Sequence, residues 1–184
     1  MKKDLKDHLI IGPPNENDLK ELHRLFERVL PHTFLKEGLP SDHMAILEEV
    51  EDKKEQLEAY FNKSQVSEYL VARVDDQIVG TIWYGRSGNL IKEGSNGQLS
   101  NLGEIGTVFV LPDYQGCGIG KKLFLAMEDL LHSKQIEKYT LDSGYTHAQE
   151  VWKHLLGAPA YIMKDKWGQG IDHYIWLIEK AWQK

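Results

Sequence analysis

Apolar positions recur along the chain in two rhythms, one of period two and one near three and a half, and the switches between them mark the elements. Leu9 to Ile11 form a short apolar run closed by Gly12-Pro13-Pro14, which predicts a brief first strand. Leu19, Leu22, Phe26, Val29 and Leu30 then return at helical spacing, with Asn15 placed to cap the helix and Asp18 three residues on. A break is expected from Pro31 to Pro40, with Ser41 as the cap of a second, acidic helix that runs to about Asn62. Glu68 to Val74 and Gln77 to Tyr84 read as two strands, and Asp75-Asp76 between them has the length and composition of a hairpin turn. Gly85 to Gly103 loses all periodicity and is expected to be a long connection. Strand character returns at Glu104 to Val110. Ile119, Leu123, Met127, Leu130 and Leu131 mark one face of a helix ending near Ser133. A strand at Lys138 to Asp142 and a helix at Thr146 to Leu156, ended by Gly157, come next. Two last β-runs, Ala160 to Trp167 and Ile171 to Ile178, flank Gly168-Gln169-Gly170. The order is β-α-α-β-β-β-α-β-α-β-β, in which hairpin-joined strands precede a β-α-β-α unit, so a mixed sheet in a single α/β domain over residues 1–184 is expected.

Composition narrows the function classes. At 184 residues, with 41% hydrophobic and 27% charged positions, the chain is too polar for a membrane protein and too apolar to stay disordered. A net charge of -6 and a pI near 5.7 speak against a dedicated nucleic-acid binder, which needs a basic surplus to displace counterions. The run Glu48-Glu49-Val50-Glu51-Asp52 reads as a solvated helix face. Cys117 is the only cysteine, so neither a disulfide nor a cysteine zinc site can be built, and a reducing compartment follows. Leu9 to Ile11 is too short for a signal-peptide core or a bilayer span, so a cytoplasmic protein without a membrane partner is expected. His147 and His154 lie seven apart without an H-x-x-x-H spacing, and no metal is expected.

The segment with the most chemistry runs from Glu104 to Leu123: a strand, a turn, three glycines at alternate positions (Gly116, Gly118, Gly120) and an amphipathic helix. Amides at a helix start lack intrahelical acceptors and sit at the positive end of the helix dipole, and glycines let an anion approach the backbone. This is a cradle for a phosphate, with Lys121 and Lys122 nearby. A Walker loop fails because Gln115 stands where its first glycine belongs and Lys122 follows Lys121. The dinucleotide pattern fails because Lys121 stands where its last glycine belongs. What fits is Gln-x-x-Gly-x-Gly at Gln115, Gly118 and Gly120.

With Val110-Leu111-Pro112 just ahead of it, this motif resembles the signature of the GNAT superfamily of acetyl-CoA-dependent N-acetyltransferases, and the element order resembles that family over essentially the whole chain. The resemblance implies a single-domain α/β fold with a mixed, mostly antiparallel sheet of about seven strands flanked by about four helices. It implies acetyl-CoA as the acyl donor, its pyrophosphate held by the loop Gln115, Gly116, Cys117, Gly118, Ile119, Gly120 and Lys121. Pantetheine would enter where the strand through Val108, Phe109 and Val110 splays from the strand at Lys138 to Asp142, and the Val108 amide would polarise the thioester carbonyl. The implied acceptor is a primary amine of a small molecule or a peptide, lined by Pro31 to His43 and the Lys164 to Ile171 hairpin. A homodimer is compatible with it.

Glu104 stands where many such enzymes carry a general base, which the chemistry needs because an alkylammonium has no lone pair to attack with. The usual tyrosine acid is missing: Trp152 stands near its place, ahead of Leu155-Leu156-Gly157-Ala158-Pro159. His173, in the polar-then-aromatic run before Trp176, is the first candidate for that acid, with Tyr145 and His154 behind it. The rival reading is a GNAT fold that binds CoA as a sensor without turnover.

Overall fold

The computed structural model describes residues 8–38 and 43–180. Its elements are β1 (Leu9–Gly12), α1 (Leu19–Lys36), α2 (His43–Phe61), β2 (Glu68–Val74), β3 (Gln77–Arg86), α3 (Asn89–Gly94), β4 (Gly103–Val110), α4 (Ile119–Ser133), β5 (Lys138–Ser143), α5 (Thr146–Leu156), β6 (Tyr161–Met163) and β7 (His173–Glu179). The seven strands form one sheet in the order β1-β2-β3-β4-β5-β7-β6. β4 and β5 are parallel, while β1/β2, β5/β7 and β6/β7 are antiparallel, so the sheet is mixed, as the element order implies, and mostly antiparallel, as the family resemblance implies. The described residues group into two compact units, one within 1–83 and 107–130 and the other within 84–106 and 131–184.

In the first unit, Asn15 caps a 3₁₀ turn, Glu16–Asp18, that leads into α1: its Oδ1 accepts from the Asn17 amide at 3.0 Å while its own N–H donates to the Asp18 carboxylate at 2.7 Å. The reciprocal box that its spacing promises thus closes the 3₁₀ turn, and not α1 itself, whose N-cap Asp18 makes no side-chain cap bond. α1 buries Leu22, Leu25, Phe26, Val29 and Leu30. The expected break at Pro31 does not occur, and Pro31 lies inside the helix, which continues to Lys36. A proline there costs about 3 kcal/mol, but the buried face reaches Leu30 immediately before it, and packing of that face outweighs the lost N–H. The Ser41 cap lies outside the described residues. α2 buries only Val50 and Leu57, and its acidic run is a charged face, with Lys53 on Glu49 at 3.2 Å and Lys54 on both Glu51 and Glu27 at 2.9 Å. α1 is pinned to the β2–β3 hairpin by Arg73 on Asp18 and by the Ile78 amide on Glu21 at 2.8 Å. The turn itself holds Asp75 and Asp76 at φ of 49° and 65°, the left-handed pair that a two-residue hairpin requires.

In the second unit, the stretch expected to be structureless contains α3. Six residues are too few for a helical period to show in sequence. Its Ile91 packs with Leu99 and Ile175, and Leu102, Tyr161, Met163 and Leu177 close over this cluster. Buried Ser95 stops the helix by donating to the Ile91 carbonyl at 2.7 Å and accepting the Leu99 amide at 3.1 Å. The last two strands are shorter than their apolar runs, because residues 164–172 fold into a tight loop around Asp165 and Asp172. The Asp165 amide donates to Asp172 at 3.0 Å and the Gly170 amide to Asp165 at 2.5 Å.

Gly94 is the tightest point of the α3 packing. A Cβ there would lie 2.4 Å from Ile175 Cδ1 and 2.8 Å from Met163 Sδ, whereas one at Gly12 would meet nothing within 4 Å. Gly94→Ala is expected to lower the urea-unfolding free energy by about 1–3 kcal/mol, and Gly12→Ala by less than about 0.5 kcal/mol. Equal midpoints for the two variants would contradict this packing.

Candidate active site

β4 carries the chemistry-bearing residues in sequence, and its backbone changes conformation in the middle. Thr107 has a φ of 52°, a left-handed conformation that a β-branched residue rarely adopts. Two hydrogen bonds fix it: Thr81 Oγ1 donates to the Thr107 carbonyl at 2.8 Å, and Thr107 Oγ1 donates to Gln56 Oε1 at 2.5 Å. Such an interruption bends a strand and re-aims the groups that follow it. Residues 103–105, before it, form the parallel register with β5. Val108, Phe109 and Val110, after it, are half-buried.

The glycine loop follows. Pro112–Tyr114 make a short 3₁₀ turn, and α4 opens at Ile119. Gly116 and Gly118 have φ of 72° and 80°, and a Cβ on either would project into open space with nothing within 4 Å. Gly120 is not strained, and its Cβ would just reach Val110 Cγ2 at 4.0 Å. The backbone at both glycines is therefore open to approach beside the start of α4, where helix geometry leaves the amides of Ile119, Gly120 and Lys121 without intrahelical acceptors. A diphosphate fits that donor set. Gln115 differs from its expected role: its amide donates to the Pro112 carbonyl at 3.2 Å, and its side chain braces the loop instead. Its Nε2 donates to the Val110 carbonyl at 3.0 Å and its Oε1 accepts from Lys36 at 3.3 Å, which adds an ammonium at the loop that the sequence pattern did not point to. Cys117 is half-buried with its Sγ 3.7 Å from the Gln115 carbonyl, and Lys121 is exposed.

In the second unit, Glu104 is half-buried, in register with Thr140 of β5, and its Oε2 accepts the Gly88 amide at 2.8 Å just ahead of α3. Its carboxylate thus also anchors the start of that helix. His173 is 2% exposed and has two partners: its Nε2 lies 3.0 Å from Asp142 Oδ2, and Trp167 Nε1 donates to its Nδ1 at 3.2 Å. An indole N–H can only donate, so Nδ1 must accept and Nε2 carries the proton that goes to Asp142. Both ring nitrogens are thereby committed within the protein. Tyr145 is half-buried, His147 and His154 are exposed, and Trp152 is 7% exposed. Among the described residues, no three His, Cys, Asp or Glu side chains group as metal ligands would.

Sequence reasoning missed Asp142 and Trp167, because nothing local links them to His173. Asp142 reaches it across the β5–β7 ladder and Trp167 from the loop before β7. The polar-aromatic alternation before Trp176 was the one available signal. The loop is held further by Lys166 on Glu93 at 2.7 and 2.8 Å and by Lys164 on Asp172 at 2.7 Å. The Lys164 ammonium, followed by the Asp165 amide, holds the Asp172 carboxyl below the ordinary carboxylate range.

Residues 21–158 match the acetyltransferase (GNAT) family. That is more than half of the chain, which therefore belongs to this family and is an acyltransferase. Solved acetyltransferases share the fold. The PaiA N-acetyltransferase of Thermoplasma acidophilum in complex with coenzyme A has 19% identity and a TM-score of 0.67, over 94% of this chain and 99% of that one. The ribosomal-protein-alanine N-acetyltransferase of Brucella melitensis has 18% identity and a TM-score of 0.66, over 93% and 99%. YncA of Salmonella typhimurium, with its cofactor acetyl-CoA, has 16% identity and a TM-score of 0.66, over 97% of each chain. No curated protein sequence matches the chain. Among the described residues, no helix is long and apolar enough to cross a membrane.

Two predictions follow from this geometry. Gly118→Val places a branched side chain in the open space beside the loop and on a left-handed backbone, and CoA affinity measured by calorimetry is expected to fall at least about tenfold. The depressed Asp172 pKa means that its stabilisation of the loop is present above the ordinary carboxylate range and is lost as pH falls through the lower, folded-state value. Lys164→Met removes the first cause of that depression, so the acid transition of the Asp165 amide proton, followed by NMR, should move to higher pH.

Proposed function

We propose that this chain transfers the acetyl group of acetyl-CoA directly to a primary amine of a small molecule or a peptide, with residues 1–184 serving as one acetyltransferase domain. The observation that carries the reading is the glycine loop at the end of β4, whose donors at the start of α4 and open positions at Gly116 and Gly118 suit a diphosphate. Gly116, Cys117, Gly118, Ile119, Gly120 and Lys121 surround that diphosphate, with the Gln115 side chain bracing the loop, and the backbone of Val108, Phe109 and Val110 lies along the pantetheine arm. Bound acetyl-CoA supplies an acyl carbon carrying a thiolate leaving group. The Val108 amide donates to the acyl oxygen and stabilises the charge that gathers there. Glu104 accepts a proton from the bound ammonium, directly or through a water, since at neutral pH an alkylamine is protonated, and so frees the neutral amine that attacks. The C–N bond forms as the C–S bond breaks, the nitrogen gives up its second proton to solvent, and the departing thiolate takes a proton from solvent. His173, the acid candidate in the sequence, has a positioning role in this reading, because its two nitrogens are already engaged by Asp142 and Trp167. The negative net charge favours a cationic acceptor over an anionic one and suits neither nucleic acid nor an anionic membrane as partner. A cytoplasmic location and a homodimer are both consistent with the reading.

The anchoring of Glu104 to Gly88, together with buried Trp152 where a tyrosine acid is expected, favours one second reading: a CoA-binding sensor that does not turn over. Purified protein incubated with acetyl-CoA and a panel of primary amines, with free thiol followed over time, separates the two. A folded protein that binds acetyl-CoA and releases no amine-dependent thiol would favour the sensor. Glu104→Gln retains an oxygen to accept the Gly88 amide but loses the base. It is expected to lower kcat/KM by about 10²-fold near neutral pH, with the deficit shrinking at high pH as the amine deprotonates unaided. Full activity across the pH range would remove Glu104 from the mechanism.

A further inference from the structure

Thr81 is a hydroxyl where the first unit asks for an apolar side chain. It is 0% exposed on β3, a strand whose Ile78, Val79 and Ile82 are buried as well. Valine has nearly the same shape and no polar group to desolvate, so packing gives no reason for the oxygen. Its use is a single bond, in which Thr81 Oγ1 donates to the Thr107 carbonyl at 2.8 Å.

The carbonyl so held belongs to an informative peptide. A peptide unit is planar, and no cis bond occurs among the described residues, so the Thr107 carbonyl and the Val108 N–H are opposite ends of one rigid trans group. Fixing the carbonyl from β3 therefore fixes where the Val108 N–H points. The residue is held a second time at its side chain, where Thr107 Oγ1 donates to Gln56 Oε1 of α2 at 2.5 Å. The chain just downstream is located by other means. The Leu111 amide donates to the Val79 carbonyl at 2.8 Å, and the Phe109 ring meets buried Phe26 of α1 edge-on, with centroids 6.3 Å apart. β4 thus has its place on the sheet without the Thr81 hydroxyl. What the hydroxyl adds is the orientation of one peptide group, next to a φ of 52° that a threonine does not favour. A donor on a peptide carbonyl also polarises the group and makes the N–H at its other end a stronger donor.

We propose that Thr81 is a positioning residue for acetyl transfer: through the peptide group shared by Thr107 and Val108 it aims and strengthens the N–H that meets the acyl oxygen, while Gln56 holds the same residue from α2. The inference rests on the role given above to the Val108 amide.

The test reads the acyl group itself and needs no acceptor. Acetyl-CoA carrying 13C at the thioester carbonyl is bound to the protein, and the carbonyl stretch is followed by isotope-edited infrared spectroscopy. In the unaltered protein the stretch is expected to lie below that of free acetyl-CoA. Thr81→Val is expected to reverse about half of that lowering or more, with the affinity for CoA, measured by calorimetry, unchanged. Thr81→Ser keeps the hydroxyl and is expected to keep the lowered stretch. Gln56→Leu, at a half-buried helix position, should raise the stretch in the same direction and carries the test if Thr81→Val does not fold. A lowered stretch in the unaltered protein that persists in folded Thr81→Val overturns the positioning role and leaves the Val108 reading standing. A Thr81→Val variant that loses CoA affinity together with the lowering, or a Thr81→Ser variant that loses the lowering equally, assigns Thr81 to the scaffold and overturns the proposal as well. With acetyl-CoA bound and no lowering in the unaltered protein, the Val108 reading itself fails, and the positioning role falls with it.

Discussion

The left-handed backbone at Thr107 is the constraint on which the rest depends. Holding a β-branched residue there costs on the order of 1–3 kcal/mol, and the two hydrogen bonds through Thr81 and Gln56 return about 0.5–1.5 kcal/mol each. The conformation is therefore tolerated locally but sustained by three separate elements, β3, β4 and α2. Its effect is to give one continuous strand two jobs. Residues 103–105 act as an ordinary rung of the sheet beside β5, while the residues after Thr107 lead to the glycine loop. A straight β4 would extend the first job at the expense of the second.

Polar side chains perform much of the remaining assembly. In the first unit, Gln115 joins the end of β4 to the end of α1 through one amide group, and Asp18, Glu21 and Arg73 join α1 to the hairpin. In the second, Asp142, His173, Gln149 and Asp172 tie the loop before β7 to the sheet and to α5 despite its exposure. These networks contribute less net energy than the apolar faces of α1 and α4, because each bond replaces one to water. Their contribution is geometric uniqueness, which apolar packing alone does not impose on loops.

Most of the architecture could be read from the chain, for definite reasons. The bounds of α4 and α5 follow from a clean helical period and from Gly157, and the β2–β3 hairpin from its two-residue turn. The glycine loop was legible because its spacing is local and its conformations are ones that glycine supplies. Pro31 misled because a local rule about proline competes with a buried face visible only in the tertiary structure. α3 was hidden because a helix of six residues is defined by what it packs against, namely Ile175 and Met163, far along the chain. The tautomer of His173 was beyond reach for the same reason, since it is set by Asp142 and Trp167 together.

The hydrogen bond between Glu104 and the Gly88 amide has an evolutionary consequence. The interaction that holds the start of α3 asks only for an oxygen acceptor at position 104, whereas the proton removal proposed for Glu104 asks for a charge. A single codon change to glutamine would satisfy the first demand and abolish the second, leaving a folded scaffold with its glycine loop intact. Descendants of such a chain could drift from enzyme to ligand receptor without passing through an unfolded ancestor.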